Sequence, residues 1–504
     1  MTMQPLDRYN EHLIQNVHPI DWVNPTPQDQ YDLVVIGAGT AGLVIAAGSA
    51  GLGIGLKIAL IEKAYMGGDC LNVGCVPSKA MIRSARAVGE LKNAVKLGVV
   101  SQSMAVDFAA VMERMRSVRS GISHHDSAAR FRDLGIDVFF GAASFVDRHS
   151  LQVAGATLKF KKAAIATGAR AIEPDVPGLQ DVGFLTNESV FNLTECPKRL
   201  AVIGGGPIGC ELAQTFQRLG AEVTLIHKYA TLLNKEDPEA AAIVQAQFLQ
   251  DGLQLELNAK LTVVNATEHG KVITLETPTG TKIITVDEIL IGAGRQPNVE
   301  GLNLEAIGVE FNACQGVKVN DHLQTTQPHI FAAGDICMDW KFTHAADFAA
   351  RIVIKNALFS PFGLAKSKLS DLVMPWVTYT TPEVAHVGLY EHQAKVPVQT
   401  ITIPMSSVDR AITDGETEGF VKVLLRQGSD EILGATIVSS HAGELISEVT
   451  TAIVHKIGLS KLASVIHPYP TQADAIRKAA DAYRKTLLTD RTRSLLKLLT
   501  KFSD

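Results

Sequence analysis

The chain has 504 residues, 46% of them hydrophobic and 20% charged, with a formal net charge of −5 and six cysteines. At ~100–200 residues per domain this length implies three or four domains with sizeable cores, too apolar for a disordered hub and without the basic excess that attracts nucleic acid. Six cysteines in so long a chain are no secreted disulfide scaffold, and the polar start (Asp7, Arg8, Glu11, Asp21, Asp29) is no signal peptide, so a large cytoplasmic globular protein is expected.

Residues 1–30, with Trp22 and Asn24-Pro25-Thr26-Pro27, read as an extension that wraps the surface. Residues 33–56 then run for 24 positions without a charge, long enough for a membrane span. Glycines break that reading. Leu33-Val34-Val35-Ile36 leads into Gly37-Ala38-Gly39-Thr40-Ala41-Gly42, a helical stretch, and a second strand from Lys57 that ends at Glu62. In such a strand–turn–helix–strand unit, Gly37, Gly39 and Gly42 let backbone N–H groups approach a pyrophosphate at a helix N-terminus. Glu62 is placed to accept from a ribose hydroxyl.

Gly67-Gly68-Asp69-Cys70-Leu71-Asn72-Val73-Gly74-Cys75-Val76-Pro77-Ser78-Lys79 follows, with two cysteines five positions apart. Proline is tolerated only in the first turn of a helix, so the helix running through Met81, Ala85 and Val88 should begin near Cys75. That puts the thiol at the positive end of a helix dipole, where its pKa falls. Cys70 is expected one irregular loop earlier, with Gly74 supplying the freedom to close a bridge. His124-His125-Asp126 reads as a solvated face, because adjacent helical side chains diverge by about 100°.

The dinucleotide pattern recurs. Leu200-Ala201-Val202-Ile203 leads into Gly204-Gly205-Gly206-Pro207-Ile208-Gly209, a helix from Glu211, and a strand Ala221-Glu222-Val223-Thr224-Leu225-Ile226. Gly204, Gly206 and Gly209 take the turn positions. Two such sites on one chain imply electron transfer between two dinucleotides. The second strand ends in His227-Lys228 rather than an acid. A cation attracts the 2′-phosphate that an acid would repel, so NADPH is expected there rather than NADH.

From Leu372 the pattern changes to alternating strands, with turns near Thr381-Pro382, Gly415 and Gly434, followed by helices over 442–457 and 472–486. In the tail, Leu487, Leu488, Leu495, Leu496, Leu498, Leu499 and Phe502 interleave with Arg491, Arg493, Lys497 and Lys501. This basic amphipathic stretch suits dimer packing or a capping helix. Weak contact with an anionic membrane surface is the alternative, since one short helix binds lipid weakly. Cys196, Cys210, Cys314 and Cys337 read as buried small hydrophobes.

Over about residues 31–485, and most specifically in the Cys70–Cys75 stretch, the chain resembles the flavoprotein pyridine nucleotide-disulfide oxidoreductases, which include dihydrolipoamide dehydrogenase, glutathione reductase and mercuric reductase. The resemblance implies an α/β protein with two Rossmann-like dinucleotide-binding domains and an α+β C-terminal dimerisation domain. Its expected division is an extension (1–30), an FAD domain in two segments (31–175 and 298–370), an NAD(P)H domain (176–297), a dimerisation domain (371–485) and the tail (486–504). It also implies a homodimer that completes each active site from the partner chain. Carried over, Cys75 is the thiol against the flavin and Cys70 the interchange thiol. Lys79 and Glu211 are the pair near the flavin nitrogen, a buried cation with the counter-charge it needs. Ala166-Thr167-Gly168 closes the first FAD segment, with Thr167 and Gly168 at the cofactor. Gly292-Ala293-Gly294-Arg295-Gln296-Pro297-Asn298 is the junction, with Gly294 on the nicotinamide side. Phe331-Ala332-Ala333-Gly334-Asp335 is the second FAD fingerprint, in which Gly334 and Asp335 meet the ribitol chain. The helix from about His344-Ala345-Ala346 points its N-terminus at the flavin, with Ala346 near it and His344 as a cap or core residue.

One stretch departs from the disulfide reductases. Where their motif has a base histidine and, five residues on, a glutamate, His467-Pro468-Tyr469-Pro470-Thr471-Gln472-Ala473-Asp474 places Tyr469 and Asp474. Tyrosine, near pKa 10, is a poor base at neutral pH, whereas reduction of a soft cation needs thiolates more than a base. A tyrosine here, and Lys235-Glu236-Asp237-Pro238 after the second nucleotide fold, resemble mercuric reductases. Their C-terminal cysteine pair is missing from Lys501-Phe502-Ser503-Asp504, and so is their N-terminal metal-binding domain. His467 faces the same way as Tyr469 in an extended segment and is a rival base, although packing at the dimer seam is the favoured reading. The expected protein is an FAD-dependent, NADPH-oxidising reductase of a thiophilic metal ion, with Cys70 and Cys75 as transient ligands of that substrate and no resident metal. The alternatives are a reductase of a small organic disulfide or quinone, a membrane-peripheral quinone reductase, and a redox- or metal-sensing dimer.

Overall fold

The computed structural model describes residues 2–100 and 105–501. Strands Tyr31–Ile36 and Ile58–Glu62 lie parallel, joined by helix Thr40–Ala50. All five residues of Ile58–Glu62 are buried, as expected for a parallel strand covered on both faces. The uncharged run is therefore a strand, a turn and a helix. Among the described residues no helix is long and apolar enough to cross a membrane. The sheet continues through Asp137–Phe140 on one side and through Ala156–Ile165, Ser150–Val153 and Ala143–Asp147 on the other.

The chain leaves this sheet through Ala169–Ala171 and returns through Arg295–Pro297, which pair antiparallel at the junction. Between them lies a second parallel sheet, Gln254–Glu256, Glu222–Ile226, Arg199–Ile203 and Glu288–Ile291 in spatial order, with helix Pro207–Arg218 packed on it. An antiparallel three-stranded sheet, Lys260–Thr267, Gly270–Thr277 and Gly280–Val286, is attached to it. Strand Ile330–Ala332 then rejoins the first sheet beside residues 163–165, and helix Thr343–Leu358 packs on Thr40–Ala50. The C-terminal unit is a five-stranded antiparallel sheet covered by helices Ala442–Val454 and Asp474–Thr486, both slightly shorter than the periodicity predicts.

One terminal segment differs from expectation. The extension does more than wrap the surface. Asp7 caps helix Arg8–Val17 by accepting from Tyr9 and Asn10 N–H, and Leu13 and Val17, one helical turn apart, are fully buried in the core of the first domain. Trp22 donates to the Val138 carbonyl, and Asn24 bonds both backbone groups of Phe140, closing the sheet edge. The tail forms helix Asp490–Thr500, with Leu495, Leu496, Leu498 and Leu499 each about half exposed; Phe502 lies outside the described residues. The expected cover for this helix, a partner chain or a lipid surface, is not part of a single chain.

Because Leu13 is a core residue, Leu13→Ala is expected to cost about 2–4 kcal/mol in equilibrium urea unfolding. A surface wrap would lose less than about 0.5 kcal/mol.

Candidate active site

The two glycine turns are built alike. Gly37 (φ +99°) and Gly204 (φ +118°) adopt backbone conformations that side chains disfavour. A Cβ on Gly42 or Gly209 would lie 1.8 Å from the Gly37 or Gly204 carbonyl oxygen respectively, so each helix starts hard against its strand. Gly39 and Gly206 are the caps of helices Thr40–Ala50 and Pro207–Arg218 and supply no side-chain acceptor, which leaves the first N–H groups for an anion. Glu62 is buried, and its two oxygens accept from Ala38 N–H (2.8 Å) and Ala64 N–H (2.7 Å). Burial raises its pKa against the pull of those bonds. Each oxygen retains a lone pair, so the carboxylate can hold the turn and still accept from a ribose hydroxyl.

At the second turn, the expected pair of cations resolves to one. His227 is buried with its ring against Gly205, and its Nδ1 accepts the Gly205 N–H at 2.9 Å. Burial pushes its pKa down, so the ring is neutral and serves the turn rather than a phosphate. Lys228 remains outside, its Nζ 5.0 Å from the centre of the Tyr229 ring.

Gly67 and Gly68 (φ +89° and +55°) turn the chain into the short helix Gly68–Val73, so Cys70 sits on a helix and not in an irregular loop. Gly74 breaks that helix, and the next, Cys75–Asn93, begins at Cys75 with Pro77 in its first turn, as predicted. Thr343, first residue of helix Thr343–Leu358, places its Oγ1 3.4 Å from Cys75 Sγ, so two helix N-termini converge on one sulfur. Both thiols are free. Cys75 is exposed, and a hydrogen bond from Cys70, then the Lys79 cation and Thr343, hold its pKa well below that of an ordinary thiol. Cys70 moves the opposite way because its proton is held toward Cys75 and because it is buried. Lys79 Nζ lies 2.9 Å from Glu211 Oε2 and 4.5 Å from the centre of the Tyr379 ring. The other Glu211 oxygen accepts the Tyr379 N–H at 2.9 Å. Burial alone would depress the Lys79 pKa, but Glu211 and Cys75 reverse that, and the ammonium stays charged.

The junction closes on this centre. Thr167 Oγ1 donates to the Asn298 carbonyl (2.9 Å), Asn298 Nδ2 donates to the Thr167 carbonyl (2.9 Å), and the Gly168 carbonyl accepts the Asn298 N–H. Gly294 (φ +92°) turns the chain just before Arg295. Arg295 was not singled out by motif reading, yet it joins three segments: Nε to Asp335 Oδ2 (3.1 Å), and the guanidinium to Asp69 and to the Ala169 carbonyl. Its place in the 292–298 junction was the available signal. Asp335 follows Gly334 (φ +84°); burial raises its pKa, and Arg295 opposes the rise. Ala346 is buried in helix Thr343–Leu358 near Gly334, while His344 Nε2 turns away to the Pro375 carbonyl at 2.7 Å.

The C-terminal candidates form bonds only within their own unit. Tyr469 is 74% exposed and donates to Asp409 Oδ2 at 3.0 Å, which raises the phenol pKa. Asp474 is buried at the start of helix Asp474–Thr486, bound to Arg477 (2.7 Å) rather than to Tyr469. The His467 side chain is buried, with Nε2 2.9 Å from Glu448 Oε1 and Nδ1 3.1 Å from the Val465 carbonyl. Linear spacing concealed that histidine–glutamate pair because Glu448 lies 19 residues earlier, on helix Ala442–Val454, whereas His467 is in an irregular segment. Cys210 is buried as expected, whereas Cys314 is exposed in a turn closed by Asn312. His124 and His125 are exposed. No metal-binding cluster of His, Cys, Asp or Glu occurs among the described residues.

Comparison with known proteins matches residues 31–350 to the family described as "Pyridine nucleotide-disulphide oxidoreductase" and residues 374–480 to its dimerisation domain. The mercuric reductase of Staphylococcus aureus is 36% identical, covering 90% of this chain and 83% of that protein. The dihydrolipoyl dehydrogenase of Geobacillus stearothermophilus is 32% identical, covering 89% and 95%. The HOCl-induced flavoprotein disulfide reductase RclA from Escherichia coli, at 28% identity, has a TM-score of 0.79 and covers 89% of this chain and 99% of its own. A Cu(II) complex of RclA is similar at 27% identity and the same TM-score.

Iodoacetamide alkylation of Cys75 in the reduced protein is expected to reach half its maximal rate at a pH well below that of an ordinary thiol. Lys79→Met removes the cation that favours the thiolate, so the midpoint is expected to move to higher pH.

Proposed function

The chain belongs to the pyridine nucleotide-disulfide oxidoreductase family, and we propose that it is a homodimeric, FAD-dependent enzyme that oxidises NADPH and reduces a thiophilic metal ion through Cys70 and Cys75. The first turn, Glu62, Asp335 and the cluster of Cys75, Lys79 and Thr343 fit an FAD: a glycine cradle for the pyrophosphate, acids for the sugar hydroxyls, and a thiol with a cation at the redox end. Bound there, FAD supplies the two-electron relay between nicotinamide and disulfide. The protein's part is to hold charge. Glu211 keeps Lys79 cationic, Lys79 and Thr343 keep Cys75 as thiolate, and Cys70 retains the proton until an acceptor arrives. In overall balance, NADPH and a mercuric-type ion become NADP⁺, a proton and the metal, and both sulfurs are restored.

The observation that carries the choice of acceptor is Tyr469. Its phenol donates to Asp409 and its pKa is raised, so at neutral pH it keeps its proton and cannot deprotonate a dithiol. A soft cation needs only the two sulfurs. Similarity to mercuric reductases, and the Cu(II) complex of RclA, support the same choice. Lys228 supports NADPH. A cytoplasmic location belongs to the same proposal, since six cysteines in 504 residues are no secreted disulfide scaffold. A second reading, reduction of a small organic disulfide, is favoured by the His467–Glu448 pair and by the similarity to dihydrolipoyl dehydrogenases.

The decisive measurement is NADPH oxidation by the purified protein with Hg(II), Cu(II), glutathione disulfide, lipoamide and quinones. Faster turnover of a metal ion than of any disulfide is expected; lipoamide turnover far above all metals would overturn the reading. A cysteine pair that cycles without turning over any acceptor would instead indicate a sensor. Lys228→Glu is expected to lower kcat/KM for NADPH on the order of tenfold or more and to affect NADH less, since tenfold corresponds to about 1.4 kcal/mol. An equal effect on both nucleotides would remove Lys228 from 2′-phosphate recognition.

A further inference from the structure

Arg119, on helix Phe108–Ile122, is fully buried. One terminal nitrogen donates to the Asn72 carbonyl at 2.6 Å, between the two cysteines. The other donates to Asn10 Oδ1 at 2.7 Å, on helix Arg8–Val17. Asn72 is fully buried as well, and its Nδ2 donates to the Met66 and Gly68 carbonyls (3.0 and 2.9 Å), winding the turn before Cys70 around itself. The Met66 N–H donates in turn to the Val17 carbonyl at the far end of the N-terminal helix (3.1 Å). That helix thus grips the cysteine segment at two points, although Asn10 and Val17 lie ahead of the matched family segment that begins at residue 31.

We propose that Arg119, braced by Asn10 of the N-terminal helix, is a positioning residue that holds Cys70 and Cys75 in bonding register by fixing the Asn72 carbonyl. The carbonyls at the end of a short helix lack intrahelical partners, and the Gly68–Val73 helix ends at Gly74, where the chain must reverse before Cys75. A planar guanidinium bridges two acceptors at set angles, which a lysine ammonium does not. Asp7 bonds the neighbouring Arg116 (2.5 Å) and supplies nearby negative charge for the two arginines. Burial and Arg116 lower the Arg119 pKa to about 10, which leaves it cationic at neutral pH. Freed from this brace, the segment between the sulfurs gains conformations, and closing the disulfide costs more entropy.

This inference rests on Cys70 and Cys75 being the working pair. The test equilibrates the FAD-loaded protein with dithiothreitol buffers and measures the oxidised fraction of the pair by thiol trapping and mass spectrometry. Asn10→Leu and Arg119→Met are each expected to make the disulfide at least tenfold easier to reduce, about 30 mV for a two-electron couple. Asn10→Asp keeps an acceptor for Arg119 and is expected to restore the wild-type equilibrium. His12→Ala breaks a bond of the same helix to Ser120 that does not reach the cysteine segment, so it should leave the equilibrium unchanged. Should Arg119→Met fail to fold, Asn10→Leu decides. A wild-type equilibrium in Asn10→Leu, or an equal shift in His12→Ala, overturns the brace while leaving the redox pair intact. Absence of a Cys70–Cys75 disulfide in the oxidised wild-type protein overturns both.

Discussion

The ion pair between Lys79 and Glu211 is the contact on which the other features converge. It joins the cysteine helix of the first sheet domain to the helix that opens the second nucleotide turn, and through Tyr379 N–H it reaches the C-terminal unit. A half-buried ammonium is tolerable only with a counter-charge, and a thiolate is favoured only beside a cation. The same pair therefore satisfies a packing constraint and a chemical one. It keeps a positive charge beside Cys75, where the proposed electron route reaches sulfur, and it touches all three units there.

Around that pair the charges are distributed by burial. Cys75 receives the Lys79 cation and the Thr343 hydroxyl at the start of its helix, whereas Cys70, in the first turn of helix Gly68–Val73, keeps its proton, held toward Cys75. Arg295 does for the acids what Glu211 does for Lys79: one guanidinium neutralises Asp69 beside Cys70 and Asp335 beside the first sheet, at the point where the chain re-enters the domain. Proton supply is the weak element. The exposed Tyr469 is tied to Asp409 and the buried His467 to Glu448, so neither stands as a free base within one chain. Within one chain the site favours a thiolate at Cys75 and presents no free base, which is the basis of the proposed metal acceptor.

Features written in consecutive residues were readable without coordinates. The glycine turns follow from close approach of backbone to backbone, and the helix start at Cys75 follows from Pro77, because both constraints act within a few positions. Residues whose partners are distant in sequence were misread or missed. His227 looked like a cation at a strand end, but the Gly205 N–H needed an acceptor and drew the ring inside. Asn10, 109 residues from Arg119, gave no local sign of its role, and Cys314 read as a buried small hydrophobe although it lies exposed in a turn closed by Asn312.

The α/β domain plan followed from the family resemblance, whereas local pattern was enough to place two nucleotide turns and a helix starting at Cys75, and to set two of six cysteines apart from the rest. These depend on backbone sterics and helix termini, which a short stretch of residues determines. Tertiary structure alone decided that Arg295 pairs with Asp69 and Asp335, that His227 is neutral, and that the first thirty residues include a core helix joined to the cysteine segment. Those outcomes depend on what surrounds a group after folding: burial sets the cost of a charge, and only distant segments brought together can offset it.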